Sequence, residues 1–428
     1  MMKHEHFDMI GEELYSAKLP NGLELNVVTK PGFMLGYAVF ATNYGGANRR
    51  FFLDGQWHDT PAGVAHFLEH KMFDMPDGDN ALNILSANGA QPNAFTSSGM
   101  TAYYFDCTKG FEENLRMLLS FVSTPYFTPE SVDKEQGIIG QEIGMVEDSP
   151  GYVVYNRLMR LLYAHHPVRD QVAGSVESIA QITSDTLYNC HRAFYRPSNM
   201  VLCVAGDVDP ERVYAIAEEI LGTEAAEAPV TDFGEDEGEL PQAVYSEEHM
   251  EVSAPQFLIG AKVKPAPDGE ALLRQKLVAQ LALRTVFGTS GAFFTRLYSE
   301  GILNHDYDYE IDHTAGTATL MLEGESPDPQ RVLGEIKSTV AALAENGLDA
   351  AQFERAKKAS FGARLRGLED FENVCIALVQ GAFSSYCSLD SFRLLQSIEK
   401  SECERFILEN MAPERLAMSV VLPVKQEE

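Results

Sequence analysis

The sequence predicts an α+β protein of two homologous domains, each a mainly antiparallel sheet with helices packed on one face. Three observations support this prediction. Strands and amphipathic helices are grouped without strict alternation, similar segments recur in the two halves, and an acidic stretch separates those halves. The chain has 428 residues, of which 45% are hydrophobic, so it is long enough to bury more than one core.

The internal repeat consists of three pairs of segments with nearly constant spacing along the chain. The offsets are 214, 216 and 216 residues, which indicates a duplicated domain. The paired segments are VAHFLEHKMF from Val64 with VAQLALRTVF from Val278, TAYYF from Thr101 with TATLM from Thr317, and YRPSNMVLCVAG around Pro197 with NMAPERLAMSVV around Pro413.

The domain boundaries follow from a change in composition. Between roughly Gly222 and Glu248, the segment TEAAEAPVTDFGEDEGELPQ loses apolar periodicity and gathers Asp, Glu, Gly and Pro. This composition is typical of an exposed linker. We therefore predict a first domain over residues 1–221, an acidic linker over 222–248 and a second, homologous domain over 249–428.

The elements of the first half can be assigned in order. LELNVV after the Asn21-Gly22 turn and GYAVFA before the Tyr44-Gly45-Gly46 loop predict a strand pair, and TAYYFDC and NMVLCVAG predict further strands. Helical periodicity extends through VAHFLEHKMF, GFEENLRMLLSFV and PESVDKEQGIIGQEIGMV. The second half has the same coarse content of strands and amphipathic helices.

The run VAHFLEHKMF contains His66, Glu69 and His70 in the order His-x-x-Glu-His. On a helix, His66 and His70 lie at i and i+4 on one face, about 6 Å apart, and can hold one zinc ion. Glu69 borders the same face and can reach a water on the metal without being a ligand, which is the equipment of a hydrolase. The alternative is a surface helix with two unrelated histidines.

The duplication provides an internal control on this motif. At the equivalent positions the second half has Gln280, Leu283 and Arg284, although the helical pattern persists. Helix packing alone therefore does not require the two histidines and the glutamate. Chemistry explains them better than structure does, and the metal site is assigned to the first domain.

A zinc ion held by two histidines needs a third protein ligand. The predicted helix from Pro129 carries Glu135 and Glu142, which are two turns apart and share one face. Their counterparts in the second half are Ala356 and Ala363, so both acids are lost together with the histidine motif. This joint loss selects Glu135 and Glu142 as site residues, and the alternative is that they only solvate an exposed face.

Composition narrows the function classes. The net charge of −30 argues against nucleic acid as a partner, because phosphates require a basic surface. The negative field could concentrate cationic peptides, or it could only keep the protein soluble. The six cysteines show no paired spacing and are expected to be reduced, mostly in cores. No apolar run reaches membrane-span length and the N-terminus lacks a secretory pattern, so no membrane insertion and a cytoplasmic location are expected.

The inverted motif, the acid pair, the segment NAFTSSGMTAYY and the duplicated halves together resemble the pitrilysin/insulinase superfamily of zinc metallopeptidases. Size and arrangement resemble the branch that contains mitochondrial processing peptidase and its bacterial relatives. The resemblance implies two domains that enclose a chamber and one zinc ion per chain. It also implies an endopeptidase that acts on peptides or unfolded protein segments admitted by size.

The resemblance assigns a role to each candidate residue. His66, His70 and Glu142 would be the zinc ligands, Glu69 would activate the water, and Glu135 would support a ligand from beside the metal. The substrate-binding strand of the family, Asn-Ala-Phe-Thr, matches Asn93, Ala94 and Phe95, which would bind substrate backbone as an added β-strand.

Two departures from the family pattern bear on partners. Lys71 follows His70 where the family has Met, and FDMPDGDN replaces a Gly-Thr turn. Members that work alone carry an Arg and a Tyr about seven residues apart in the second domain. Here Tyr298 occupies the Arg position, and Arg296 and Tyr307 have the wrong spacing.

These departures leave two functions open. One is an active zinc endopeptidase. The other is a scaffold or binding subunit that cleaves weakly by itself within a heteromeric processing peptidase. A homodimer or a heterodimer with a related family member is therefore expected. A metal-storage role is disfavoured, because Glu69 would then have no task.

Overall fold

The computed structural model describes residues 2–424. The strands are β1 (Lys3–Phe7), β2 (Glu12–Lys18), β3 (Glu24–Thr29), β4 (Gly36–Thr42), β5 (Arg50–Leu53), β6 (Gln56–Asp59), β7 (Ala90–Thr96), β8 (Thr101–Cys107), β9 (Met200–Gly206), β10 (Val230–Thr231), β11 (Tyr245–Met250), β12 (Gln256–Val263), β13 (Asp308–Thr314), β14 (Thr317–Glu325) and β15 (Ala417–Pro423).

The helices carry the remaining regular structure. They are α1 (Val64–Lys71), α2 (Ala81–Ala87), α3 (Phe111–Ser123), α4 (Pro129–Glu147), α5 (Pro150–Leu162), α6 (Val176–Ile179), α7 (Ser184–Phe194), α8 (Pro210–Leu221), α9 (Glu270–Phe287), α10 (Ala292–Ser299), α11 (Pro329–Asn346), α12 (Ala350–Gly367), α13 (Phe371–Phe383), α14 (Ser391–Ser397) and α15 (Lys400–Asn410). Strands and helices in separate runs confirm the predicted α+β class.

The chain divides into two compact units that interleave along the sequence. The first unit contains the residues up to Ile143, together with Gln171–Phe233 and Leu365–Leu389. The second unit contains Gly144–Asp170, Gly234–Arg364 and the residues from Asp390 onward. The predicted domain boundaries, in contrast, follow the chain consecutively.

In the first unit, the described strands form a seven-stranded sheet in the order β1-β2-β3-β9-β4-β8-β7. β3 and β9 run parallel, and the other neighbouring pairs run antiparallel. The prediction that LELNVV and GYAVFA pair with each other is wrong, because β9 lies between β3 and β4 and pairs with both. Buried at all seven positions, β9 satisfies its backbone polar groups only with a partner on each edge.

Helices cover both faces of this sheet, whereas the sequence predicted helices on one face only. β4 is buried at all seven positions, so its side chains on both faces are packed. Phe40 lies in a core with Phe67 of α1 and Leu115 of α3. On the other face, Cys203 of β9 lies against Cys375 of α13. The second cover was missed because α13 follows the sheet by more than 150 residues.

The second unit repeats this plan with a five-stranded sheet of described strands in the order β11-β15-β12-β14-β13. The β11 and β15 pair is parallel and the others are antiparallel. Here α5 packs on β12 and β15, where Leu158 lies in one cluster with Leu258, Met321 and Val421. The mainly antiparallel sheets agree with the prediction.

The predicted acidic linker has fixed points at both ends. Near its start, Val230 and Thr231 pair with β5 in the first unit. Further on, in the second unit, the Glu237 carboxylate accepts hydrogen bonds from consecutive backbone N–H groups at 3.0, 2.5 and 2.8 Å, those of Ala164, His165 and His166. Burial opposes ionisation of Glu237, but these hydrogen bonds outweigh it and lower its pKa to about 2.

Two compositional expectations can be compared with the structure. All six cysteines are free thiols, and five of them are buried, as predicted; Cys387 is partly exposed. Among residues 2–424, no single helix combines the length and the apolar character needed to cross a bilayer. The bent pair of α9 and α10, with 42° between its helices, passes that test by length and composition only when the two are taken together.

Candidate metal centre

Helix α1, which carries the histidine motif, begins after a glycine that tolerates no side chain. Gly63 has a φ of +96°, and a Cβ there would meet the carbonyl oxygen of Ala173 at 2.6 Å. The helix buries apolar residues in the core of the first unit, namely Val64, Ala65, Phe67 and Leu68. The remaining face presents His66 and His70 together, with ring centroids 4.6 Å apart.

Glu142 of α4 completes a cluster with these two histidines. The Nε2 atom of His66 lies 3.5 Å from Oε1 of Glu142, and Nε2 of His70 lies 3.6 Å from Oε2. One donor atom from each residue falls within 4.8 Å of the others. Ligand atoms about 2.0–2.1 Å from one zinc ion in a tetrahedral site are roughly 3.3 Å apart. The cluster therefore fits a three-ligand zinc site with one position left open.

The charge states in the cluster suit a cation. The hydrogen bond with His66 lowers the pKa of Glu142 below its ordinary value, so the carboxylate is held ionised. Side-chain exposure rises from 13% at His66 to 26% at His70 and 41% at Glu142. Solvent therefore reaches the cluster from the side of Glu142, and a hydrolytic site needs such access.

Glu135 lies one step back from the cluster and orients His70. Its Oε1 is 3.0 Å from Nδ1 of His70, which leaves Nε2 of that ring to face Glu142. A ligating imidazole usually donates its second N–H to a carboxylate in this way. The Nδ1 atom of His66 is buried without a hydrogen-bond partner among the described residues, so only one of the two rings has this support.

A buried lysine stands behind Glu135. Lys71 is only 2% exposed, and its Nζ contacts Asp74 and lies 3.5 Å from Oε2 of Glu135. Burial would raise the pKa of Glu135, but the hydrogen bond with His70 and the charge of Lys71 outweigh it and lower that pKa. Burial likewise opposes charge on His70, and the neighbouring carboxylates, Glu135 first, raise its pKa above the ordinary value.

Glu69 lies next to the cluster without being part of it. It is 7% exposed, and its Oε2 accepts a hydrogen bond of 2.6 Å from Oγ1 of Thr96. Burial raises the pKa of Glu69 above the ordinary carboxylate value, although the bond from Thr96 opposes this effect. A carboxylate with a raised pKa beside a metal cluster has the proton affinity that a general base requires.

The predicted substrate-binding residues lie on β7, at the edge of the first sheet. β7 pairs with β8 on one side only among the described strands, so its other edge is open to an added strand. Asn93 is exposed, and Ala94 and Phe95 are partly buried. Their side chains make no recorded contact with the histidine cluster, but Thr96, the next residue, bonds Glu69 and ties the strand to the site.

Sequence reasoning missed two residues of this site. Thr96 belongs to the Asn-Ala-Phe-Thr segment, and its hydroxyl was the available signal. Lys71 was noted only as a departure from the family pattern, because nothing in the sequence indicates that its ammonium group is buried beside Glu135.

The duplicated α+β fold, together with a cluster of two imidazoles and one carboxylate beside a buried glutamate, has the architecture of the metallopeptidase class. Comparison with protein families agrees: residues 53–176 match the insulinase family, peptidase family M16, and residues 181–360 match the peptidase M16 inactive domain. The chain belongs to this family, within the pitrilysin/insulinase superfamily.

Individual relatives support the assignment along the whole chain. The chain is 37% identical to an uncharacterized zinc protease of Bacillus subtilis, YmfH, over 99% of this chain and 100% of that protein. It superposes on an M16-like peptidase from Alicyclobacillus acidocaldarius with a TM-score of 0.92 and 33% identity, covering 96% and 99% of the two chains. A protease from Helicobacter pylori shares the fold at 16% identity, with a TM-score of 0.82 and coverage of 99% and 100%.

Proposed function

We propose that this protein is a zinc-dependent endopeptidase that cleaves peptides or unfolded protein segments. The observation that supports this best is the convergence of His66, His70 and Glu142 within 4.8 Å, next to the buried carboxylate of Glu69. One zinc ion per chain is expected, because the counterparts of these residues in the second half cannot ligate it.

In this proposal His66, His70 and Glu142 hold the metal, and Glu135 keeps His70 oriented. Zinc, when bound, supplies a positive charge that polarises the scissile carbonyl and lowers the pKa of water. Glu69 takes the proton of the attacking water on Oε1, the oxygen that Thr96 leaves free, and delivers it to the leaving amine nitrogen. The open edge of β7 at Asn93, Ala94 and Phe95 would align the substrate backbone as an added strand.

The test combines zinc content and peptidase activity in one preparation. The wild-type chain should contain about one zinc and cleave a flexible fluorogenic peptide, lose that activity with a chelator, and regain it with added zinc. Glu69→Gln should retain zinc and lose most activity, because it removes the base and leaves the three ligands. Glu130→Gln, an exposed change on α4, is the matched control. Full activity in Glu69→Gln would contradict the assigned role.

A second candidate function is a subunit that reaches full activity only with a related chain. Residues near the position of the missing Arg and Tyr pair are already engaged within this chain. Arg296 donates two hydrogen bonds to Glu335, at 3.2 and 2.6 Å, and the hydroxyl of Tyr298 lies 2.8 Å from Nε2 of His305. Tyr307 is 3% exposed. None of these side chains is free to hold a substrate without rearrangement.

Mixing experiments separate the two candidates. A partner that carries the Arg and Tyr pair in its second half should raise turnover, and Glu69→Gln in this chain should abolish activity of the mixture. The oligomeric state, homodimer or heterodimer, would be read by light scattering in the same samples. Equal cleavage by this chain alone and in the mixture would rule out the subunit role and point to Arg296 or Tyr298 as the substrate contact.

A further inference from the structure

The second unit contains a cavity at the position that corresponds to the metal cluster of the first. Its volume is about 420 Å³, within the range of small-molecule sites. The lining includes the counterparts of the metal-site residues, Gln280 for His66, Leu283 for Glu69, Arg284 for His70 and Ala363 for Glu142. Duplication has therefore left a shaped space where the ligands were replaced, and the replacements determine what it can bind.

The replacements reverse the charge of the site. A carboxylate becomes the methyl group of Ala363, an imidazole becomes the guanidinium of Arg284, and Arg364 adds a second guanidinium to the lining. Arg284 forms no ion pair with any described residue. Arg364 donates a hydrogen bond to Oε1 of Gln280. The one lining acid, Glu310, is outnumbered, and its pKa is raised by burial and then by Asp312.

The surroundings are basic in a strongly acidic protein. Helix α12 supplies Arg364 to the cavity and carries several other cations with a single acid, Glu354, although the whole chain has a net charge of −30. These other cations are Arg355, Lys357, Lys358 and Arg366. The corresponding helix of the first unit, α4, is rich in glutamate. An anion is therefore favoured at this place over most other surfaces of the protein.

The walls between the guanidinium groups are apolar. Leu277, Leu281, Ile311 and Leu395 are buried and line the cavity, and Tyr309 and Ser360 add polar atoms. A fully hydrated inorganic ion would leave these apolar walls without contacts. A molecule with one oxyanion and a short apolar portion would satisfy both parts of the lining.

We propose that this cavity is a binding site for an aliphatic carboxylate, with Arg284 and Arg364 as the groups that recognise the carboxylate. Guanidinium groups pair with carboxylates through two parallel hydrogen bonds, and such charge-assisted pairs are the stronger class of hydrogen bond. The leucine and isoleucine side chains would contact the aliphatic portion. This site is independent of the proposed peptidase activity, because its residues all lie in the second unit.

Calorimetric titration of the zinc-depleted, full-length chain with N-acetylleucine tests the proposal, since zinc removal prevents the carboxylate from binding a metal. We expect saturable binding with one site per chain. Arg284→Gln and Arg364→Gln should each weaken binding by about 10-fold or more, from the loss of a charge-assisted pair. Arg355→Gln, on an exposed part of the same helix and outside the cavity, should bind as the wild type does.

Two further probes make the result decisive. N-acetylleucinamide, which lacks the negative charge, should not bind, and inorganic phosphate should compete only weakly. If Arg284→Gln does not fold, Arg284→Lys keeps the charge without the planar fork and should still bind more weakly. Equal binding of the amide, equal binding by the arginine variants, or displacement by phosphate at equal concentration would each overturn the proposal.

Discussion

The hydroxyl of Thr96 on β7 is hydrogen-bonded to the carboxylate of Glu69 on α1, with 2.6 Å between Oγ1 and Oε2. The bond fixes which carboxylate oxygen is free and partly offsets the effect of burial on the pKa of Glu69. It also joins the edge strand to the site. Neither residue is in the three-residue metal cluster, so the relationship concerns the base and not the metal.

We expect Thr96→Val to lower kcat about 10-fold while zinc content stays unchanged. The valine preserves volume but removes the donor, so the Glu69 carboxylate loses its orientation. Thr96→Ser keeps the hydroxyl and should retain most of the activity. Steady-state kinetics with metal analysis on the same samples measures both effects. Loss of zinc in Thr96→Val would show that the strand supports the metal cluster directly.

Glu142→Gln and Glu135→Gln should separate ligation from support. The first substitution removes an ionised oxygen from the cluster and should strongly lower zinc occupancy at limiting zinc. The second weakens only the hold on His70, for which we expect a loss in affinity of about 10 to 100-fold. Competition with a fluorescent chelator gives both values. If Glu135→Gln loses more zinc than Glu142→Gln, the two roles are exchanged.

Lys71→Met should destabilise the protein by about 1–3 kcal/mol, because it leaves carboxylates near Lys71 without their buried cation. Chemical denaturation of the zinc-depleted chain would measure this loss of stability. Zinc affinity should fall as well, because Glu135 loses the neighbour that helps to keep it ionised. Lys109→Met, at an exposed lysine of the same unit, should change neither quantity. An unchanged stability would mean that Lys71 is a passive part of the packing.

His191 should make the stability of the protein depend on pH. Its Nε2 donates a hydrogen bond of 3.0 Å to the carbonyl oxygen of Val122, and burial lowers its pKa from 6.5 to about 4. The folded state therefore binds the proton less tightly than the unfolded state. The contribution of the neutral ring is fully present above pH 6.5 and is lost as the pH falls toward 4.

Relative to pH 8, this residue should cost on the order of 2 kcal/mol of stability at pH 5. His191→Gln retains an N–H donor without a basic nitrogen, so its unfolding free energy should fall less between pH 8 and pH 5. His165→Gln, at an exposed ring, serves as the control. Parallel pH profiles for the wild type and His191→Gln would refute the assignment.

Sequence periodicity predicted the local elements well and the long-range partners less well. TAYYFDC coincides with β8, and the helix from Pro129 ends within one residue of its predicted end. Side-chain period alone determines such elements. The insertion of β9 between β3 and β4 was not predicted, because strand order depends on segments more than 150 residues apart and leaves no local signal.

The candidate site shows the same division. The spacing of His66 and His70 and the joint loss of both glutamates in the second half indicated which residues meet. The side of Glu135 that faces Lys71, and the bond from Thr96 to Glu69, depend on rotamers that only tertiary packing determines. Both are contacts between side chains on different elements, which no repeat or motif encodes.

The late position of α13 has a consequence for how the protein is made. This helix covers one face of the first sheet, yet it is translated after nearly the whole second repeat. While the ribosome is still working, the strands that will surround β9 have an apolar face with nothing on it. Synthesis cut short anywhere before Phe371 would therefore yield a chain that contains every metal-site residue and still exposes a surface suited to chaperones or aggregation.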